Sequence, residues 1–185
     1  MSLIVIFGPS GSGKTTIVNT LITKFPDKNF TKAITTTTRP PRENETNGKH
    51  YYFVENAEFE KLKGKGFLVE HTEYPKGSGY QYGLTVAELV RLLNFQGYAI
   101  VIMEENGLET LKKKLKAPIK SVFIKRSLSE IEKTISNRNC PYEEKVARIK
   151  HCRKQNKAGS LADLILFNNS TPEEAAERLC KAIEG

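Results

Sequence analysis

The stretch Leu3-Ile4-Val5-Ile6-Phe7-Gly8-Pro9-Ser10-Gly11-Ser12-Gly13-Lys14-Thr15-Thr16 decides the fold. Five apolar residues without polar alternation predict a strand covered on both faces. Gly8 to Thr15 then matches G-x-x-x-x-G-K-[S/T] in full. Glycines let backbone N–H groups converge on phosphate oxygens, and a helix opening at Lys14 turns its positive end toward the same anion. Lys14 reaches the outer phosphates, and the Thr15 hydroxyl is a candidate ligand for the Mg²⁺ that travels with a nucleoside triphosphate. The apolar strand before the loop and the helical pattern after it, Thr15 to Lys24, are the context this chemistry needs.

Outward from the loop, strand-like apolar runs recur at Tyr98–Met103, Val122–Ile124 and Leu164–Phe167. Helical patterns separate them. Thr85 to Phe95 places Val86, Leu89, Val90 and Leu93 on one stripe, and Ser127-Leu128-Ser129-Glu130 and Thr171-Pro172-Glu173-Glu174 have capping-box spacing. Glu143 to Lys154 is strongly charged and reads as exposed, and Lys112 to Lys116 reads as a solvated helix face. This alternation predicts an α/β fold with a parallel sheet core flanked by helices. Residues 33–83 interrupt it with polar, aromatic and glycine-rich sequence, as expected of a small inserted lobe, and 138–148 form a second, charged interruption.

The 185 residues suit one domain, and 38% hydrophobic with 27% charged residues excludes a membrane-embedded or disordered chain. No apolar run approaches the roughly 20 residues of a membrane span, and Met1 to Phe7 does not read as a signal peptide. Cys140, Cys152 and Cys180 form no CxxC pair, which argues against a disulfide framework or zinc site and for a reducing, cytoplasmic setting. A net charge of +8 implies anionic partners. Only Asp27 and Asp163 among the 21 acids are aspartate, so acid chemistry falls to glutamate.

A second anion site is written in Thr35-Thr36-Thr37-Thr38-Arg39-Pro40-Pro41-Arg42, where prolines stiffen a fork of two arginines suited to phosphate. It continues into Glu45-Thr46-Asn47-Gly48-Lys49-His50-Tyr51-Tyr52-Phe53. Ala33 to Val54 resembles the signature of guanylate kinases, TTRxPR followed by ExxGxxYxF, and the phosphate loop is similar to theirs. Phe67-Leu68-Val69-Glu70, Tyr82-Gly83, the strand ending at Glu104, Arg138, Arg148 and Asn168 extend the resemblance over nearly the whole chain.

The resemblance implies a P-loop core (1–32, 84–137 and 149–185), a nucleoside-monophosphate lobe at 33–83 and a lid at 138–148 within a single domain, 1–185. It implies transfer of the γ-phosphoryl of ATP, with Mg²⁺, to GMP. Gly8, Pro9, Ser10, Gly11, Ser12, Gly13, Lys14, Thr15 and Thr16 would hold ATP, with Asn168 near the adenine. Arg39, Arg42, Tyr51 and Tyr82 would grip the GMP phosphate, Glu70 and Thr35 would face the base, and Glu104 would help order metal and acceptor. Lys14, Arg39, Arg138 and Arg148 would be the catalytic cations. Elementary chemistry agrees, because phosphoryl transfer is mostly positioning and charge neutralisation. A carboxylate accepts both donors of guanine's Watson–Crick edge but meets an acceptor on adenine.

The chain departs from the family pattern at three places. Ile102 stands where the first acid of a D-x-D pair is expected, and Glu104 replaces the second. Leu84 follows Tyr-Gly where a hydroxyl residue is expected, and the stretch from Glu70 to Tyr82 is longer than expected. Kinases of another monophosphate or of a phosphosugar, and a non-catalytic phosphopeptide-binding module, are the alternatives; the intact Lys14-Thr15 opposes the module. A nucleic-acid-binding surface unrelated to the loop is not expected.

Overall fold

The computed structural model describes residues 2–155 and 158–185. Its core is a five-stranded, wholly parallel sheet of β1 (Ser2–Phe7), β2 (Phe30–Lys32), β7 (Tyr98–Ile102), β8 (Ile119–Lys125) and β9 (Leu164–Phe167), in the order β2-β7-β1-β8-β9. Central β1 explains the uninterrupted apolar run. Ile4 and Ile6 join the cluster under α1 (Lys14–Lys24) and α7 (Pro172–Glu184), whereas Leu3, Val5 and Phe7 join the cluster under α3 (Val86–Leu93) and α4 (Glu105–Lys114). Alternate side chains point to opposite faces, and both faces are covered.

A second, four-stranded sheet has the order β4-β3-β6-β5, from β3 (Thr36–Thr37), β4 (Tyr52–Phe53), β5 (Leu68–Glu73) and β6 (Gln81–Thr85). β6 runs antiparallel to both neighbours, and α2 (Asn56–Gly64) precedes β5. Thr85 ends β6 and caps α3, its hydroxyl accepting from Glu88 N at 3.1 Å. α5 (Leu128–Ser136) and α6 (Tyr142–Gln155) follow β8, and their contact buries Ile131, Ile135 and Cys152. Among the described residues no helix is long and apolar enough to cross a membrane.

One strand went unread in the sequence, and one expectation needs correction. β2 was not anticipated: it is three residues long at the sheet edge and buries only Phe30. α6 is not simply an exposed charged helix. Arg148, Cys152 and Gln155 are buried, because the helix presses one polar side against the cleft described next.

Candidate active site

The loop after β1 wraps the start of α1. Gly13, at φ +92°, is the residue before the helix, and no side chain caps the helix there. The first-turn N–H groups therefore have no intrahelical partner and stand ready for an anion. The Lys14 ammonium folds back onto the carbonyls of Gly8 (2.7 Å) and Pro9 (2.9 Å). Burial pushes its pKa down, and the Glu104 carboxylate opposes that shift. Asn168, just past β9, donates to the Ser12 carbonyl at 2.7 Å and so braces the loop from outside the cleft.

One cleft runs from this loop to the second sheet. Its lining includes Ser10, Gly11, Gly13, Lys14, Thr15 and Thr16 at one end and Thr35, Arg39, Arg42, Tyr51, Glu70 and Tyr82 at the other, with Glu104, Arg138 and Arg148 between. Gly8, Pro9 and Ser12 form the loop from behind, and Asn168 stands outside it against Ser12.

At the second-sheet end Arg39 is held from several sides. Its guanidinium donates to both Glu45 oxygens (2.9 and 2.7 Å), to the Pro40 carbonyl (2.6 Å) and to the Tyr82 hydroxyl (3.2 Å), and it lies 5.6 Å from the Tyr51 ring centre. Burial, with Tyr82 beside it, pushes the Tyr51 phenol up, so it stays a donor. The Arg42 guanidinium is more open, 3.7 Å from Glu45. Deeper along the sheet, Glu70 is 8% exposed and accepts one bond, from Leu84 N at 3.1 Å. Burial chiefly, with the nearby Glu104 charge, pushes its carboxyl from the ordinary 4.5 up to about 7. Gly107 of α4 packs directly on it, for a Cβ there would come 3.0 Å from Glu70 Oε2. Leu84 is wholly buried in the core, so no hydroxyl faces the cleft from that position.

Between the two ends, Arg138 (3.0 Å) and Arg148 (3.3 Å) converge on the Ser10 hydroxyl. Arg148 is also anchored by Glu144 at 2.8 Å, while its Nη2 is buried without a partner among the described residues. Glu104, two residues past β7 and immediately before α4, receives a bond from Gln155 and lies 3.7 Å from His151. Ile102 packs against the core and lines the cleft, giving an apolar floor where an acid was expected.

Several cleft residues were not anticipated. Thr72, Tyr74, Arg126 and Thr134 line it, and Arg126 donates to the Gly11 carbonyl (3.2 Å) and the Thr134 hydroxyl (3.1 Å). From the expected Arg148, the residues His151, Cys152 and Gln155 follow at i+3, i+4 and i+7 of α6, a helical stripe that was legible as spacing but is polar rather than apolar.

A phosphate loop on a parallel sheet, facing a second cationic site across a cleft lined with arginines, defines a nucleotide-dependent phosphotransferase of the P-loop class. The sequence pattern of the guanylate kinase family matches residues 1–185. The chain is 33% identical to the guanylate kinase of Malacoplasma penetrans (strain HF-2) over 180 residues, covering 96% of this chain and 89% of that protein. It is 33% identical to the guanylate kinase of Francisella tularensis subsp. holarctica (strain LVS), covering 98% and 95%. The crystal structure of guanylate kinase from Anaplasma phagocytophilum superposes with a TM-score of 0.77 at 24% identity, covering 99% of this chain and 84% of that one. The chain belongs to the guanylate kinase family.

Proposed function

We propose that this protein transfers the γ-phosphoryl group of MgATP to GMP, giving ADP and GDP. The observation that carries this reading is a single cleft joining a phosphate loop to a buried carboxylate, Glu70, with the Arg39-Tyr51-Tyr82 anion site beside it. Residues 33–83 act as the acceptor lobe and 138–148 as the lid.

Each group has a role that its placement supports. The loop N–H groups and Lys14 cradle the β- and γ-phosphates. Arg39, Arg42, Tyr51 and Tyr82 orient the GMP phosphate, whose own oxygen is the nucleophile, so no general base is needed. That oxygen attacks the γ-phosphorus, the bond to the β-bridging oxygen breaks, and ADP leaves. Arg138 and Arg148 neutralise charge as it shifts during transfer. The ionised Glu70 takes the two donors of the guanine edge, and Thr35 flanks the base. Magnesium enters as part of the ATP substrate. The Thr15 hydroxyl, exposed on the first turn of α1, is a hard oxygen suited to it, and Glu104, just past β7, is a carboxylate lining the same cleft. The three free thiols suit a cytoplasmic enzyme.

The test is ADP release from MgATP against a panel of GMP, AMP, CMP and UMP. GMP should have the highest kcat/KM by at least tenfold. Equal rates with all four would sink the assignment of Glu70 to the base, and no release with any would sink the kinase.

A further inference from the structure

We infer that Tyr74 is a positioning residue that couples the acceptor half of the cleft to the ATP-side arginine Arg148, so that GMP tightens the binding of ATP. The inference rests on the assignment of GMP and ATP to the two ends of the cleft.

Tyr74 opens the long stretch after β5 that the family resemblance left unexplained. The loop is closed on itself: Tyr74 N donates to the Tyr80 carbonyl at 2.9 Å, and one oxygen of Glu73 accepts from Gly77 N (3.0 Å) and Gly79 N (2.8 Å). A loop so tied projects its first side chain firmly. That side chain leaves its own sheet and enters the other half of the site, where it is 7% exposed. The Arg148 guanidinium lies 5.0 Å from the ring centre, and His151, three residues further along α6, meets the ring edge-to-face at 5.1 Å. The hydroxyl sits beside Ser10 of the phosphate loop without a well-formed hydrogen bond.

Arg148 is thereby fixed on three sides. Glu144 holds Nε, Ser10 holds Nη1, and the Tyr74 ring covers its face. The remaining Nη2 is buried and has no partner among the described residues, on a side chain that lines the cleft, so a phosphate oxygen reaching it would satisfy it. Desolvated arginine-aromatic stacking of this kind is strong enough to select one guanidinium orientation. Glu70 and Tyr74 lie on one strand and its direct continuation, four residues apart. A guanine held by Glu70 fixes β5, β5 fixes the Tyr74 ring, and the ring fixes Arg148. Ordering paid at one site need not be paid again at the other, which is positive coupling.

The experiment measures the affinity of a non-hydrolysable ATP analogue with Mg²⁺, with and without saturating GMP, by calorimetry. Wild type and Tyr74→Phe, which keeps the ring, should show about fivefold tightening by GMP. Tyr74→Leu should bind each ligand alone but lose the tightening. Where Tyr74→Leu fails to fold, pentafluorophenylalanine at position 74 keeps the shape while reversing the charge of the ring face, and it should lose the tightening that Phe retains. Equal tightening in wild type and in the leucine or fluorinated variant overturns the inference, as does its absence in a wild type that binds both ligands. Failure of wild type to bind GMP at all would instead overturn the acceptor assignment beneath it.

Discussion

Glu70→Gln tests the base-reading carboxylate through stability and catalysis together. The Glu70 carboxyl is pushed from 4.5 up to about 7, first by burial and then by Glu104, against the opposing pull of Leu84 N–H and Lys114. A displacement of that size is worth about 3 kcal/mol at ~1.4 kcal/mol per unit, and at 8% exposure little of it is screened. The sign follows from proton counting. Between pH 4.5 and 7 the native state binds more protons at this group than the unfolded chain does, so stability falls as pH rises through that window. Glutamine never ionises. At pH 8 the variant should therefore resist urea more than wild type by about 2–3 kcal/mol, and at pH 4 the two should coincide. Catalysis should move the other way. GMP needs the ionised form, so wild-type kcat/KM for GMP should fall about tenfold per unit below pH 7. The second pKa of a phosphate monoester, near ~6, adds its own slope, which the Glu70→Gln profile isolates. In the plateau the variant should lose about 10- to 150-fold in kcat/KM for GMP, the worth of a charge-assisted bond. Parallel stability curves for the two proteins, or a wild-type GMP profile flat down to pH 5.5, would refute this account of Glu70.

Lys14→Ala should lower kcat by on the order of 10² or more with unchanged circular dichroism, because the ammonium acts mainly on transition-state charge; unaltered steady-state turnover would remove the loop from the mechanism. Asn168→Ala frees the Ser12 carbonyl, a loss of roughly 1 kcal/mol, so KM for ATP should rise about fivefold, and equally for ITP as donor; a rise confined to ATP would make Asn168 an adenine reader instead. Gly107→Ala places a methyl 3.0 Å from Glu70 Oε2 and Met103 Sδ and should cut kcat/KM for GMP about tenfold while leaving KM for MgATP within about twofold, measured with each substrate varied in turn.

What the sequence disclosed and what it hid follow from the kind of pattern each element carries. The central strands announce themselves because both faces of β1, β7 and β8 are covered, which forces uninterrupted apolar runs. β2 offers Phe30 alone and is recognisable only from its pairing with β7. The two ends of the cleft are local in sequence, so Gly8 to Thr15 and Arg39 to Tyr51 stood out as segments before the structure joined them. α6 brings the expected Arg148 to the cleft and packs His151, Cys152 and Gln155 on Glu104 and Ser10 behind it, and polar residues at helical spacing resemble solvent-facing ones until their partners are known. Those partners, Ser10 and Glu104, lie far away in the chain. Tyr74 was hidden for a related reason: a tyrosine in a Pro/Gly-rich loop shows nothing of the helix it reaches. The lysines at 112 and 114 are likewise tied down, to the Ser121 hydroxyl and the Val69 carbonyl, although the run reads as purely solvated.

The departures in acid placement bear on the electrostatics of the whole cleft. Both buried arginines stand beside a carboxylate of their own, Arg39 beside Glu45 and Arg148 beside Glu144, so they are held in position before any substrate arrives. Uncompensated guanidinium groups this deeply buried would be costly, and the pairing offsets that cost, although Nη2 of Arg148 keeps no partner among the described residues. With its own charge partly spoken for, the site must limit negative charge elsewhere, because two anionic nucleotides have to meet there. Ile102 supplies neutrality on the core strand, and Glu104 is engaged by Gln155 and His151 rather than left bare. An aspartate at position 102 would line the same cleft as Glu70, Glu104 and the incoming phosphates. It would push the Glu70 carboxyl further up and so weaken the ionised form that the proposed function assigns to guanine. The apolar residue at 102 therefore fits the proposed role of Glu70, whose carboxyl burial already pushes up to about 7.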